Sequence, residues 1–563
     1  MFLLVLFALL NIAFAQSYKL DDIIYTDKMT ANSDESIQNI RVIDSVQINK
    51  EKNISEVLRN IPGVNIKRSS GIASFTYRGL PSRYSLILIN GTRVNDSSSV
   101  DDSFDLNSID ISEVKKIEVM TGPAALAYGT SAVASVINII TNDYKNQLST
   151  IQGFRQRYQV DKSFLTMNTS THIGSFYEEQ EQLSAAVNTE EKDLVIKKGV
   201  SLGHEWVTEK DSYKLSSLFN EYYNQIDAYI GSEFSDVEDV DVVKRIGLVN
   251  FEFKNERWSF SQNFYYNNRD SRTLMLDNPV RTNFTSKNSL SSLEYKAIDH
   301  FIFGYNLELE RATVDSRFKR DVNSLYSIYQ NRYKNFSYSF STRFENFDDN
   351  SVLAYSAGLL QSVGQNYFRL NYSSGYKRAS FYQLYSADFG NSSLENEKTQ
   401  VIDLSYQYKN LLKLSFFYNY INDVIGFNTQ YENQDVLISK GIELKISKSY
   451  RFNRIELGAS FIESKKNDSN NTLSNIPKEG YFLSWSRDFN TLGLDLRFNH
   501  VGIRKEGTES LSAYNLVSLS ATRSVLNMQL RFSIFNFLNQ SYQEAKDFSR
   551  PSRNYELELS YKF

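Results

Sequence analysis

From about residue 143 onward, apolar and polar residues alternate with a period of two. Leu404, Tyr406 and Tyr408 are interleaved with Asp403, Ser405, Gln407 and Lys409. Leu412, Leu414, Phe416, Tyr418 and Tyr420 alternate with mostly polar neighbours, as do Leu492, Leu494, Leu496 and Phe498. The last stretch runs Tyr555, Leu557, Leu559, Tyr561 and Phe563, with Glu556, Glu558, Ser560 and Lys562 between them. A period of two places successive side chains on opposite faces of a strand. The pattern therefore predicts many strands with one apolar and one polar face. Their lengths are near the ~9 to 11 residues that a tilted strand needs to cross a bilayer. Asn and Asp clusters such as 467–471 separate the strands and read as loops.

Residues 36–142 follow a different grammar, mixed α/β. Asn53 followed three residues later by Glu56 is a capping-box pair, and Ile54, Val57, Leu58 and Ile61 fall at i, i+3, i+4 and i+7. Pro62 and Gly63 stop that short helix. Strands are expected at Val64 to Lys67 and Leu86 to Ile89, and Asn90-Gly91 offers a type I′ hairpin turn. Val136 to Thr141 reads as a buried strand.

Residues 1–15 are almost continuously apolar and end in the small-x-small pattern Ala13, Phe14, Ala15. This is the pattern of a secretory signal peptide cut after Ala15, although no Lys or Arg follows Met1. An N-terminal membrane anchor is the alternative, but ~15 apolar residues fall short of the ~20 that span as a helix. No later stretch is long and apolar enough to be a transmembrane helix, so membrane embedding would require a closed β-barrel. A soluble antiparallel sandwich or solenoid alternates equally well. Export, aromatic residues concentrated on the apolar face and a terminal aromatic favour the barrel.

Composition narrows the functional classes. The 563 residues hold no cysteine, which excludes disulfides, thiolate metal sites and a cysteine nucleophile. Lys plus Arg is 62 against 66 Asp plus Glu, a net charge of −4, which argues against a nucleic-acid binder, because neutralising phosphates needs a basic surface. With 37 Tyr and 38 Phe against only 6 Pro and 24 Gly, the chain suits long uninterrupted strands. Four His (172, 204, 300 and 500) are scattered, and no nucleophile motif accompanies them. No catalysis is expected.

Several stretches carry a family resemblance in a fixed order. They are Asn53 to Gly63 (NISEVLRNIPG), Tyr77 to Asn95 (YRGLPSRYSLILINGTRVN) and Val114 to Thr141 (VKKIEVMTGPAALAYGTSAVASVINIIT). Further along come Tyr376 to Lys398 (YKRASFYQLYSADFGNSSLENEK), Asn536 to Tyr542 (NFLNQSY) and the final strand Asn554 to Phe563. The sequence resembles a TonB-dependent outer-membrane receptor over almost its whole length. The resemblance implies a 22-stranded antiparallel barrel (143–563) with an N-terminal α/β plug (36–142) inside the lumen, preceded by a periplasmic tail (16–35). About 420 residues follow position 142, roughly 19 per strand, enough for a ~10-residue strand and a modest connection. It also implies a Gram-negative outer-membrane location, a terminal Phe acting as an assembly signal, a monomer in contact with outer-membrane lipid, and energy supplied by the TonB protein of the inner membrane.

Site residues follow from the same resemblance. Asp21, Asp22, Ile23, Ile24, Tyr25 and Thr26 resemble the TonB box, an extended segment that a partner grips by strand addition. Asp403 and Glu443 lie on the polar phase of their strands and are expected to face inward and pair with Arg78 of the YRG motif, locking plug to wall. Thr121 stands where relatives carry a second Arg, so part of that lock is expected to be missing; Ala134 and Ser135 replace the usual Gly-Gly. Arg83 and Tyr84 at the plug apex are candidates for ligand contact. Asp236, Glu238, Asp239 and Asp241 could offer hard oxygen ligands to calcium, or form a solvated loop; no cofactor is required. Few His and Met argue against capture of bare copper, zinc or nickel. The cargo implied is a small-molecule metal chelate or vitamin, ferric siderophore or cobalamin. A passive channel or adhesin on the same barrel is the alternative.

Overall fold

The computed structural model describes residues 36–563 apart from 70–71, 101, 122–125, 131–133, 142–144, 184–191, 231–232, 274–279, 349, 435, 467–472 and 508. It does not describe the side chains of 182–183, 192–193, 227–230, 233–239 and 280. The signal-peptide region, the Asp21–Thr26 segment and the 467–471 cluster thus lie outside the described residues.

The N-terminal domain is built on two small sheets. Strands β1 (Asn39–Ile43), β5 (Ser85–Ile89), β6 (Thr92–Arg93), β7 (Val114–Thr121) and β8 (Ser135–Thr141) form one, in the order β1-β7-β8-β5-β6. Strands β2 (Val64–Ser69), β3 (Ile72–Tyr77) and β4 (Leu80–Pro81) form the other. Two short helices, α1 (Ser45–Ile48) and α2 (Ile54–Arg59), follow β1. The spacing read from the sequence explains α2, because Ile54, Val57, Leu58 and Ile61 all face the core. Asn53 caps it by accepting from the Glu56 N–H at 3.1 Å. The reciprocal half of the expected box is absent because the Glu56 carboxylate turns to Arg59 and Arg68 instead.

Two hairpin turns of this domain place both central residues in left-handed backbone. Asn90 and Gly91, at φ 50° and 79°, join β5 to β6 across the Ile89–Thr92 pair, the type I′ hairpin that their sequence predicts. Arg78 and Gly79, at φ 52° and 71°, do the same between β3 and β4 across Tyr77–Leu80. Arginine in this conformation is uncommon.

The remaining chain closes into an antiparallel barrel of 22 strands, sealed where Gln147–Gly153 pairs with Asn554–Lys562. Alternation sets its two faces: Tyr555, Leu557 and Leu559 point outward, while Glu556 between them is 5% exposed. Some strands run well past the expected 9 to 11 residues, up to the 22 of Glu233–Lys254, because hairpins keep pairing beyond the bilayer. Connections at one end are short, such as 208–211, 255–257 and 334–335. At the other end are long ones, including 378–396, 423–436 and 536–553. That asymmetry places the short turns on the periplasmic side. One long connection holds α3 (Phe381–Tyr385), capped reciprocally by Ser380 and Gln383; at five residues it is too short for a helical period to stand out. No described helix is long and apolar enough to cross a membrane.

The N-terminal domain sits inside the bore. Its Ile48, Leu58, Phe75 and Ile87 share one apolar cluster with inward-facing Leu218, Ile246, Ile421 and Leu437 of the wall.

Candidate functional site: the plug–wall contact

The Arg78-Gly79 turn presents its side chain and carbonyls to the barrel wall. Arg78 Nη1 lies 2.5 Å from Asp403 Oδ2, while Nη2 and Nε reach the two Glu443 oxygens at 2.9 and 3.1 Å. The guanidinium is 1% exposed and stacks 4.8 Å from the Phe417 ring. Burial alone would weaken its hold on the proton, but Glu443, Tyr77 and Asp403 together hold it well above the ordinary arginine value. Ser439 Oγ donates to the Arg78 carbonyl and Ser464 Oγ to that of Gly79 at 2.9 Å. Gly63 allows the close approach, since a Cβ there would lie 2.4 Å from Glu443 Oε1. Alternation places Asp403 and Glu443 inward, and the I′ turn aims Arg78 at both.

Thr121 is buried at the end of β7, and its hydroxyl has no partner among the described residues. A second plug cation facing Glu443 comes from another strand. Arg41 on β1 is half-buried, and desolvation lowers its proton affinity despite Tyr77, Glu443 and Glu456 nearby. It lines a narrow gap with Tyr77, Lys413, Glu443 and Lys445.

Arg83 and Tyr84 are covered rather than open at the apex. Arg83 Nη2 donates to Glu397 at 3.0 Å, to the Ile425 carbonyl at 3.1 Å and to the Tyr84 hydroxyl at 2.9 Å. Tyr84 is fully buried, which pushes its phenol well above the ordinary value. The hairpin Ile425–Phe427/Tyr431–Asn433 therefore sits directly on the plug apex.

The acidic run lies within strand Glu233–Lys254, where the ladder to Ser212–Ile230 shifts register at Asp227/Ala228. The side chains of Asp236, Glu238 and Asp239 are outside the described set. The Asp241 carboxylate accepts from the Tyr223 hydroxyl at 2.6 Å. Among the described residues no group of three or more His, Asp or Glu side chains is arranged to hold a metal ion. His172 and His204 are diagonal neighbours on adjacent strands but face opposite ways, His204 outward and His172 buried on the lumen side 3.8 Å from Asp161.

Several plug–wall networks were not singled out from the sequence. Glu544, fully buried, bridges Arg59 and Arg68. Arg157 of the wall pairs with plug Asp110. Asp102 meets Lys377 and Arg93, and Arg93 with Arg378 converges on Glu308. Strand parity identifies Arg157 and Glu308 as inward, but Glu544 and Arg378 lie in long connections, and pairing between distant positions leaves no local signal. Beside the Arg157 pair, burial and the neighbouring Asp110 push the Glu113 carboxyl up to about 8.

A model described as TonB-dependent Receptor Plug Domain matches residues 32–136, and one described as TonB dependent receptor-like, beta-barrel matches residues 136–537. Among curated proteins, the vitamin B12 transporter BtuB of Vibrio cholerae serotype O1 is 22% identical, covering 96% of this chain and 95% of that protein. BtuB of Photobacterium profundum is 23% identical over 92% and 91%. Among solved structures, the ferric enterobactin receptor PfeA of Pseudomonas aeruginosa gives a TM-score of 0.80 at 16% identity, covering 93% of this chain and 99% of that one. The siderophore receptor PirA of Acinetobacter baumannii gives 0.79 at 16% identity, with 93% and 98% covered.

Proposed function

The chain belongs to the TonB-dependent receptor family, and from that premise we propose that it captures a scarce nutrient complex outside the cell and admits it when TonB pulls on the segment preceding the plug. Its export depends on residues 1–15, with cleavage after Ala15. The curated relatives are vitamin B12 transporters, and the structural neighbours are receptors for ferric enterobactin and siderophore. We favour a cobalamin as cargo, because the B12 transporters match this chain in sequence along nearly its whole length. A ferric siderophore is the second reading, resting on the fold likeness to PfeA and PirA.

The observation that carries the reading is the filled bore. A folded domain packed against the wall by a continuous apolar cluster blocks free diffusion. Passage therefore requires part of that domain to move. An outer membrane holds no nucleotide pool or sustained ion gradient, so the work arrives mechanically. The Asp21–Thr26 segment supplies the handle, and the following residues form a tether to Ser36. Ser36 enters the periplasmic half, where the Arg369 guanidinium donates to its carbonyl at 2.9 Å. Arg78 bridging Asp403 and Glu443 then acts as the reversible catch between plug and wall.

Deleting residues 20–27 tests the handle. Uptake is expected to vanish while ligand binding to whole cells persists. Unchanged uptake would instead identify a passive channel. Growth-linked uptake of labelled cobalamin against ferric siderophore in a knockout strain separates the two cargoes.

A further inference from the structure

A groove of about 1070 Å³ lies on the outside of the barrel rather than in the lumen. Outward-facing Phe219, Gly247, Phe264 and Tyr266 contribute to its apolar lining, and the missing side chain at Gly247 deepens it between Phe219 and Tyr266. Its lining also includes Lys198, Arg245, Lys287 and Arg311, with Glu221 as the acid among them.

The strand registers show how these charges are placed. Lys198, Glu221 and Arg245 are directly opposite one another on three adjacent strands, so one carboxylate serves two cations at 2.8 and 2.7 Å. Beside them, Lys287 is opposite Arg311, and Arg311 is opposite Lys319. Like charges directly opposite across strands are destabilising, and here three occupy one row. Asp321, 2.5 Å from Arg311, balances one of them. Lys287 has the Tyr266 ring 5.7 Å from its ammonium. The row is favourable only with a further anion laid across it.

Height identifies the anion. Counted from the short-turn ends of their strands, Lys198, Arg245, Lys287 and Arg311 stand roughly 9 to 11 residues up, the length a tilted strand spends crossing hydrocarbon. They therefore lie at the outer-leaflet headgroup level, with the apolar groove extending below. We propose that this face is a binding site for a phosphate-bearing, multiply acylated lipid of the outer leaflet. Its phosphates would lie on Lys287, Arg311, Lys319 and Arg245, and an acyl chain in the groove by Phe219 and Gly247. The assignment does not depend on the cargo or on TonB.

The test uses the full chain in neutral detergent micelles, titrated with diphosphorylated lipid A and read by native mass spectrometry and thermal unfolding. The wild type is expected to retain the lipid and gain thermal stability. The Lys287→Gln/Lys319→Gln pair is expected to bind about tenfold more weakly, while its lipid-free protein is at least as stable as wild type because the like-charge row is relieved. Lys440→Gln, on a lysine paired with Glu463 elsewhere on the barrel, serves as the control and should bind as wild type does. Equal lipid binding by wild type and the double variant would overturn the proposal. Equal competition by inorganic phosphate would overturn the lipid assignment, leaving a simple anion site.

Discussion

Arg78 combines two unfavourable features, a left-handed backbone and a buried charge, which together make sense only through its partners. The I′ turn aims the guanidinium at two carboxylates from different strands, and its planar fork engages Glu443 through two nitrogens. Arg78→Ala is expected to leave Asp403 and Glu443 buried and uncompensated, a loss of about 3–5 kcal/mol. Limited proteolysis of the purified protein should then cut faster within residues 36–142. Arg78→Lys keeps the charge but loses the fork and should fall between. A second residue-scale prediction concerns pH. The Glu113 carboxyl, ordinarily near 4.5, is raised to about 8 by burial and by Asp110. Its stabilising contribution is full below about 4.5 and is lost as pH rises toward 8, because the unfolded chain ionises there while the folded one does not. Glu113→Gln should flatten that part of the profile of thermal midpoint against pH, and an unchanged slope would remove Glu113 as its source.

At the scale of elements, much was legible because periodicity is local. The α2 face, the Asn90-Gly91 hairpin and the inward phase of Asp403 and Glu443 all follow from residues within a few positions of each other. The Arg41 contribution from β1, the Glu544 bridge and the five-residue α3 did not, since they depend on contacts distant in sequence or on a segment shorter than two helical turns. β1 carries a mechanical prediction as well. It is the edge strand nearest the tail, held by its five-residue pairing with β7 and by wall contacts such as Arg369 to the Ser36 carbonyl. Force applied through the tail reaches β1 before the other strands. Because the chain has no cysteine, an Ile40→Cys/Met120→Cys pair, directly opposite across β1 and β7, would form an unambiguous cross-link. Uptake is expected to stop under oxidising conditions and return on reduction, with ligand binding unaffected throughout. Uptake that continues with the bridge closed would mean that β1 stays in place during transport.

At the scale of the whole molecule, the barrel and its content have opposite requirements. The wall is continuous, closed from Gln147–Gly153 to Asn554–Lys562, with apolar residues outward and a polar lumen, so it does not depend on the plug for its hydrogen bonds. The plug meets that lumen both through the shared apolar cluster and through ion pairs, including Arg78–Asp403, Arg59–Glu544 and Lys377–Asp102, and the pairs exchange with water at less cost than the apolar seam does. The wall should therefore survive loss of its content. Deleting residues 36–142 while keeping residues 1–35 is expected to leave a heat-modifiable barrel in the outer membrane. In planar bilayers that barrel should show a large, steady conductance where the full chain shows none. The deletion should also admit solutes too large for ordinary porins without help from the inner membrane, converting an energised receptor into a diffusion pore. A full-length protein that already conducts steadily would contradict a plug that fills the bore.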